Sequence, residues 1–234
     1  MRVLSLETAD KAASVAVLED QILLAHQQLP LAIRSAQSLA SGIQSILSQV
    51  GWKPSDVELV AVAQGPGSFT GLRVGVVSAK VFAWSVNAEI LGVSTLEAIA
   101  ENVPPGIEKI SAALDCQRGQ VVYQNFARSS ETGFFVPQSE EIVADTEDWL
   151  AQVPEDYLLS GPILGRTSVK ELVCRPTVDS AFWTPTATGI GQLAVRQYLS
   201  GLRSDVWQLL PRYSRPAAAE EKLLAKREDC KPTT

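Results

Sequence analysis

Val57-Glu-Leu-Val-Ala-Val-Ala-Gln-Gly-Pro-Gly-Ser-Phe-Thr-Gly71 runs from a near-continuous apolar stretch into a glycine-rich turn and on into a helix. Val57 to Ala63 has the composition of a strand buried on both faces. Beyond the turn, Phe69, Leu72, Val76, Val77, Ala79, Phe82, Ala83 and Val86 make residues 69–87 apolar nearly all round. Such a helix packs on several sides, in the core or against a partner. Gly65, Gly67 and Gly71 allow close approach and positive φ, and Ser68 and Thr70 stand where helix N-terminal amides can meet an anion. The spacing Gly65-x-Gly67-x-x-x-Gly71 is neither a Walker A loop nor GxGxxG. A tight strand-to-helix turn explains these glycines as well as a ligand does.

Working outward, residues 2–7, 13–18 and 22–28 read as three short strands joined by tight connections, an antiparallel meander. Pro30 interrupts the pattern. Leu39, Ile43, Ile46, Leu47 and Val50 then recur at helical spacing over about 33–50, with Gly51 as a C-cap. Ile90–Val93 is a further short strand, and Ser94-Thr-Leu-Glu97 is a capping box opening a helix near 95–102. Pro104-Pro105-Gly106 marks a boundary. A second unit starts with strands at 110–114 and 121–127, turning at Gln117-Arg118-Gly119. Residues 128–180 are more polar and show little periodicity, and 186–199 reads as a helix. Three strands, helix, strand, helix, strand, helix is half of an actin-like/Hsp70-like ATPase (ribonuclease H-like) α/β arrangement, with a shortened second lobe. The expected division is 1–104, completed by a C-terminal helix within 209–230, and 105–208.

The chain has 234 residues, with 20 basic against 26 acidic side chains and a net charge of −6. A protein that grips nucleic acid alone needs excess Lys and Arg to neutralise phosphates, so contact with RNA would depend on another molecule. Cys116, Cys174 and Cys230 are widely spaced and suit reduced thiols rather than a disulfide framework. No run of about 18 apolar residues suggests a membrane span, and the opening strand does not read as a signal peptide. The expectation is a cytoplasmic protein with no membrane contact. His26 is the one histidine, so a paired-histidine metal site cannot be built within the chain. No metal site and no catalytic residue are expected.

GPGSFTGLRVGVVSAKVFAW (65–84), followed by Gly92-Val-Ser-Thr-Leu-Glu-Ala-Ile-Ala100, resembles the TsaB (YeaZ-like) family of tRNA-modification proteins. Leu4-Ser-Leu-Glu-Thr8, Leu114-Asp-Cys-Gln-Arg-Gly-Gln-Val-Val-Tyr123 and Leu210-Pro-Arg-Tyr-Ser-Arg-Pro216 resemble further family segments in the same order. The departures are Glu7 where the family has aspartate, Arg34-Ser-Ala-Gln-Ser38 where it has His-Ser-Glu, and Cys116, Gln117 and Gln120 within 115–120, where the family has acidic and basic positions.

The resemblance implies a non-catalytic, actin-like subunit. It pairs with a TsaD-like catalytic chain, which holds the metal and transfers threonylcarbamoyl to an adenosine beside the anticodon. A TsaE-like ATPase joins that pair, and a homodimer is the alternative state of the free chain. tRNA is met only through the complex. The partner face is expected on the two helices, at Leu39, Ile43, Ile46, Phe69, Leu72, Arg73, Val76 and Lys80, with Trp84 as an anchor if it is not buried in the chain's own core. A vestigial nucleotide site is expected at Glu7, Thr8, Gly65, Gly67, Ser68 and Asp115, and ATP or ADP at the complex interface is the cofactor left open. The competing readings are a small ATPase or phosphotransferase using Glu7 and Asp115, and a glycoprotease-like peptidase, which the single histidine disfavours.

Overall fold

The computed structural model describes residues 1–30 and 36–215. The elements are β1 (Arg2–Glu7), β2 (Ser14–Glu19), β3 (Ile22–Gln28), α1 (Ala36–Gln49), β4 (Leu59–Gly65), α2 (Phe69–Val86), β5 (Glu89–Ser94), α3 (Thr95–Glu101), β6 (Lys109–Asp115) and β7 (Gln120–Arg128). They continue with β8 (Phe135–Pro137), β9 (Ile142–Asp145), α4 (Thr146–Gln152), β10 (Leu158–Ser160), α5 (Thr167–Lys170) and α6 (Ala187–Leu199).

The first sheet has the order β3-β2-β1-β4-β5, with the three-strand meander antiparallel and β4 and β5 parallel to β1. Successive residues of a strand point to opposite faces, and here both faces are covered. Leu4, Leu6, Val15, Val17, Val60 and Val62 pack under α1 and α2. Val3, Ala16, Leu18, Leu59, Ala61 and Ala63 pack under α6. That two-sided cover is why 59–63 reads as an unbroken apolar run. Helix α6 comes very close to the sheet. The buried Ser5 hydroxyl donates to the Ala187 carbonyl at 2.6 Å, and a side chain at Gly191 would collide with Leu18.

The second sheet runs β10-β6-β7-β8, with β9 also paired to β7. Leu96, Ile99 and Ala100 of α3 cover one face. Trp149 of α4 covers the other, fully buried, with its indole N–H donating to the Ser111 hydroxyl at 3.0 Å. Ala98 of α3 meanwhile packs into the first lobe, so this helix belongs to both cores.

One expectation is corrected here, and another falls largely outside the described residues. Helix α6 was placed with the second unit, but Ile190, Leu193 and Ala194 pack on the first sheet. Of the helix expected within 209–230, residues 209–215 are not helical and 216–230 lie outside the described residues. The start of the helix expected from 33 also lies partly outside them.

Candidate functional site

The glycine turn is built by close packing against the β1–β2 connection. Ser68 caps α2, its hydroxyl accepting from the Gly71 amide at 3.4 Å, while its own amide donates to the Ala9 carbonyl at 2.7 Å. The Thr8 hydroxyl donates to the Gly71 carbonyl at 2.8 Å. A Cβ at Gly71 would run into the Thr8 carbonyl, and one at Gly75 into the Thr8 hydroxyl. Here the glycines let a helix approach another backbone, and two of the groups an anion would use already have protein partners.

The six expected nucleotide-site residues are only partly brought together. Thr8, Gly67 and Ser68 converge around Ala9 and the start of α2. Gly65 instead faces the chain near Arg212, whose carbonyl fills the space a side chain would need. Asp115, at the end of β6, accepts from Arg166 at 2.9 Å and from the Gln117 amide at 2.9 Å, contacts within the second lobe. Glu7 is fully buried. One of its carboxyl oxygens accepts from the Asp10 amide at 2.9 Å, and the other has no protein partner. Burial pushes this carboxyl up to about 8, with the amides of Asp10, Ala9 and Thr8 opposing the rise, so at neutral pH it is mostly protonated. Its carboxyl is enclosed by the chain, and none of its surface faces solvent. Among the described residues no group of three or more His, Cys, Asp or Glu side chains is placed to hold a metal ion.

The expected partner residues are redistributed more sharply. Leu39, Ile43, Ile46, Leu72 and Val76 are all buried in the chain's own first core and present nothing to a partner. The outer surface of α1 carries Ser41, Gln44, Ser45 and Ser48, which are polar. On α2 the exposed stripe is Val77, Val81 and Trp84, at 57%, 61% and 66% exposure. Beside it stands Trp207, 70% exposed and edge-on to Trp84 with ring centroids 6.5 Å apart. Val77, Lys80, Val81, Trp84, Val206 and Trp207 line an open groove of about 360 Å³. Helix α2 is also, by length and composition alone, apolar enough to cross a membrane, but its Leu72, Val76, Ala79 and Ala83 side is packed on the sheet.

Phe69, Arg73 and Lys80 turn out to hold the segment that follows α6. The Lys80 ammonium donates to the carbonyls of Trp207 (3.1 Å) and Leu209 (3.0 Å). Arg73 donates to the Tyr213 hydroxyl at 2.9 Å, and Tyr213 stacks on Phe69 with ring centroids 4.5 Å apart. The Gln64 side chain donates to the Leu210 carbonyl at 2.8 Å, and the Arg212 amide donates back to the Gln64 carbonyl at 2.7 Å. The sequence reading missed this role of 204–213. Its one available sign was the stiff Pro211-Arg-Tyr213 element, a poor continuation of a helix.

Comparison with known proteins agrees with this architecture. A family model described as TsaD: tRNA N6-adenosine threonylcarbamoyltransferase matches residues 31–157. The tRNA threonylcarbamoyladenosine biosynthesis protein TsaB of Escherichia coli is 30% identical, the match covering 97% of this chain and 100% of that protein. The TsaB protein of Bacillus subtilis is 28% identical over 95% of this chain and 97% of its own length. The solved structure of YeaZ from Pseudomonas aeruginosa superposes with a TM-score of 0.77 at 26% identity, covering 91% of this chain and 100% of that one.

Proposed function

The chain belongs to the TsaB family, and we propose that it is the non-catalytic subunit that docks and activates a TsaD-like threonylcarbamoyltransferase in tRNA threonylcarbamoyladenosine synthesis. The observation that carries this reading is the exposed stripe Val77, Val81 and Trp84, which together with Trp207 lines one apolar groove, whereas other exposed large apolar side chains such as Ile22 and Leu199 lie outside it. Helix residues at i, i+4 and i+7 share a face and suit packing against a helix of a partner, and exposed tryptophans are frequent anchors of interfaces. The docking face therefore consists of the outer side of α2 and the adjoining chain near Trp207, in place of the buried residues the sequence suggested. A family model for TsaD matches 31–157 of this chain, so a TsaD-like partner brings a related pair of helices to the contact.

A TsaE-like ATPase joins the pair, and the same apolar face supports a homodimer when the partner is absent. With a net charge of −6, the subunit leaves the grip on tRNA to the complex, which works where tRNA is, in the cytoplasm. The ATPase reading is weakened by the buried, mostly protonated Glu7 and by Asp115 being engaged with Arg166. Light scattering after size exclusion tests the proposal. The chain mixed with its TsaD-like partner should give a one-to-one species that is lost in Val81→Asp while the circular dichroism spectrum is kept. A complex unaffected by Val81→Asp and Trp84→Asp would refute the assigned face. No complex at any salt or nucleotide concentration would refute the partnership.

A further inference from the structure

The segment from Ser204 to Tyr213 has no regular structure, yet it is tied down along its whole length. The Ser204 hydroxyl accepts from the Gly92 amide at 3.4 Å, and Leu209 is buried in the first core, close against Gly92 of β5. Lys80 fastens it to α2 and Gln64 fastens it to the end of β4. Its last contacts leave the first lobe. The Arg212 guanidinium forms an ion pair with Glu141, immediately before β9 of the second sheet, while the Arg212 backbone packs on Gly65. Glu141 is three-quarters buried and Arg212 half-buried, so solvent screens this pair only in part.

We infer that 204–213 is a strap coupling the docking face to the second lobe, with Arg212 as its positioning residue. One end of the strap presents Trp207 to the groove on α2, and the other end holds Glu141. A body seated in the groove touches Trp207 and Val206, whose neighbouring carbonyls are fixed by Lys80. Only Leu210 and Pro211 separate Leu209 from Arg212, and proline stiffens that step, so a shift of those carbonyls pulls Arg212 against its contact with Gln64. The Glu97 carboxyl, raised by burial and lowered by Arg212 and Arg196, lies within the field of the same guanidinium. A second and separate tie between the lobes runs through Glu101, which accepts from Arg196 at 2.7 Å and from the Phe135 amide at 3.1 Å. Release of Arg212 therefore loosens the β9 side without separating the lobes. Coupling between sites is reciprocal, so loosening the Glu141 contact also weakens docking.

The inference rests on the docking face proposed above only for what occupies the groove, so the test begins without a partner. Hydrogen–deuterium exchange is followed in peptides spanning 138–145 and, as an internal reference, in β6. In the isolated chain, Lys80→Met frees the strap at its α2 end. Exchange at 138–145 should rise about fivefold, the lower range of intersite coupling, with β6 unchanged. Arg212→Gln should give the same rise, and Arg212→Lys should restore most of the protection. Unchanged exchange at 138–145 in Lys80→Met with the strap peptide itself deprotected would overturn the coupling, whatever binds the groove. With a TsaD-like subunit added, the wild type should gain protection at both 77–84 and 138–145, and Arg212→Gln only at the first. Equal gains at both in Arg212→Gln would also overturn it. Protection at neither segment in the wild type would count against the docking face and leave the Lys80→Met result to decide the strap.

Discussion

Replacing Glu7 with glutamine changes one proton site in the core of the first sheet and little else. The side chain is fully buried, one oxygen accepting from Asp10 and the other unpartnered, and burial raises its carboxyl to about 8 from an ordinary value near 4.5. An acid whose folded value lies above its unfolded value binds its proton more tightly in the native state. Its contribution is therefore complete below about pH 4.5 and is lost as pH rises through about 8. The slope in that window is about 1.4 kcal/mol per pH unit, giving at most about 5 kcal/mol across it. Relaxation around the charged form reduces this figure, so 2–3 kcal/mol, roughly half of it, is the expected measured size. Glutamine keeps the acceptor for the Asp10 amide and carries no proton to lose. Urea unfolding of both proteins at pH 5, 6, 7 and 8 isolates the effect, because Glu97, Glu141 and His26 titrate in both and cancel in the difference. Glu7→Gln should gain on the wild type steadily from pH 5 to pH 8, at constant denaturant slope. Parallel pH profiles for the two proteins would mean that Glu7 is ionised in the native state, and the case for a disabled phosphate site would lose its main support.

The other expectations follow from burial and contact. Trp84→Ala should weaken association with a TsaD-like subunit by about thirtyfold, in line with an interface anchor worth about 2 kcal/mol, measured by calorimetry. Leu72→Glu should instead abolish the native circular dichroism spectrum, since it puts a charge at a fully buried position; a folded but non-associating variant would contradict the assigned core. Gly71→Ala, whose Cβ meets the Thr8 carbonyl, should lower stability by about 1–3 kcal/mol in urea titration. A neutral result there would mean that α2 is free to move off the β1–β2 connection.

The first lobe was largely legible because its signals are long and redundant. The meander, the strand at 57–63 and the helices at 69–87 and 95–102 match β1–β3, β4, α2 and α3 within a residue or two. The choice of exposed residues on α2 was not legible. Leu72, Val76, Ala79 and Ala83 form one apolar stripe and Val77, Val81 and Trp84 another, and a helix apolar on both sides does not reveal which side meets the sheet. Helix α6 shows a similar limit: its periodicity says that one side is buried, while its place on the first sheet depends on small residues such as Gly191 meeting Ser5 across 186 positions of chain. Strands β8 and β10 have three residues each and β9 four, too few for an alternation to stand out from a polar background. At the expected nucleotide site the burial of Glu7 was not legible, since it arises from packing around the turn after the strand.

The groove between Trp84 and Trp207 is made by two parts of the chain far apart in synthesis. The carbonyls that Lys80 holds belong to residues 127 and 129 positions further on. A growing chain on the ribosome thus forms the α2 stripe long before the strap arrives to flank it, and until then the helix offers an apolar strip with no finished groove. On the docking face proposed above, both walls exist only after the strap has been made and laid down, so assembly at that groove would follow completion of the core and second lobe.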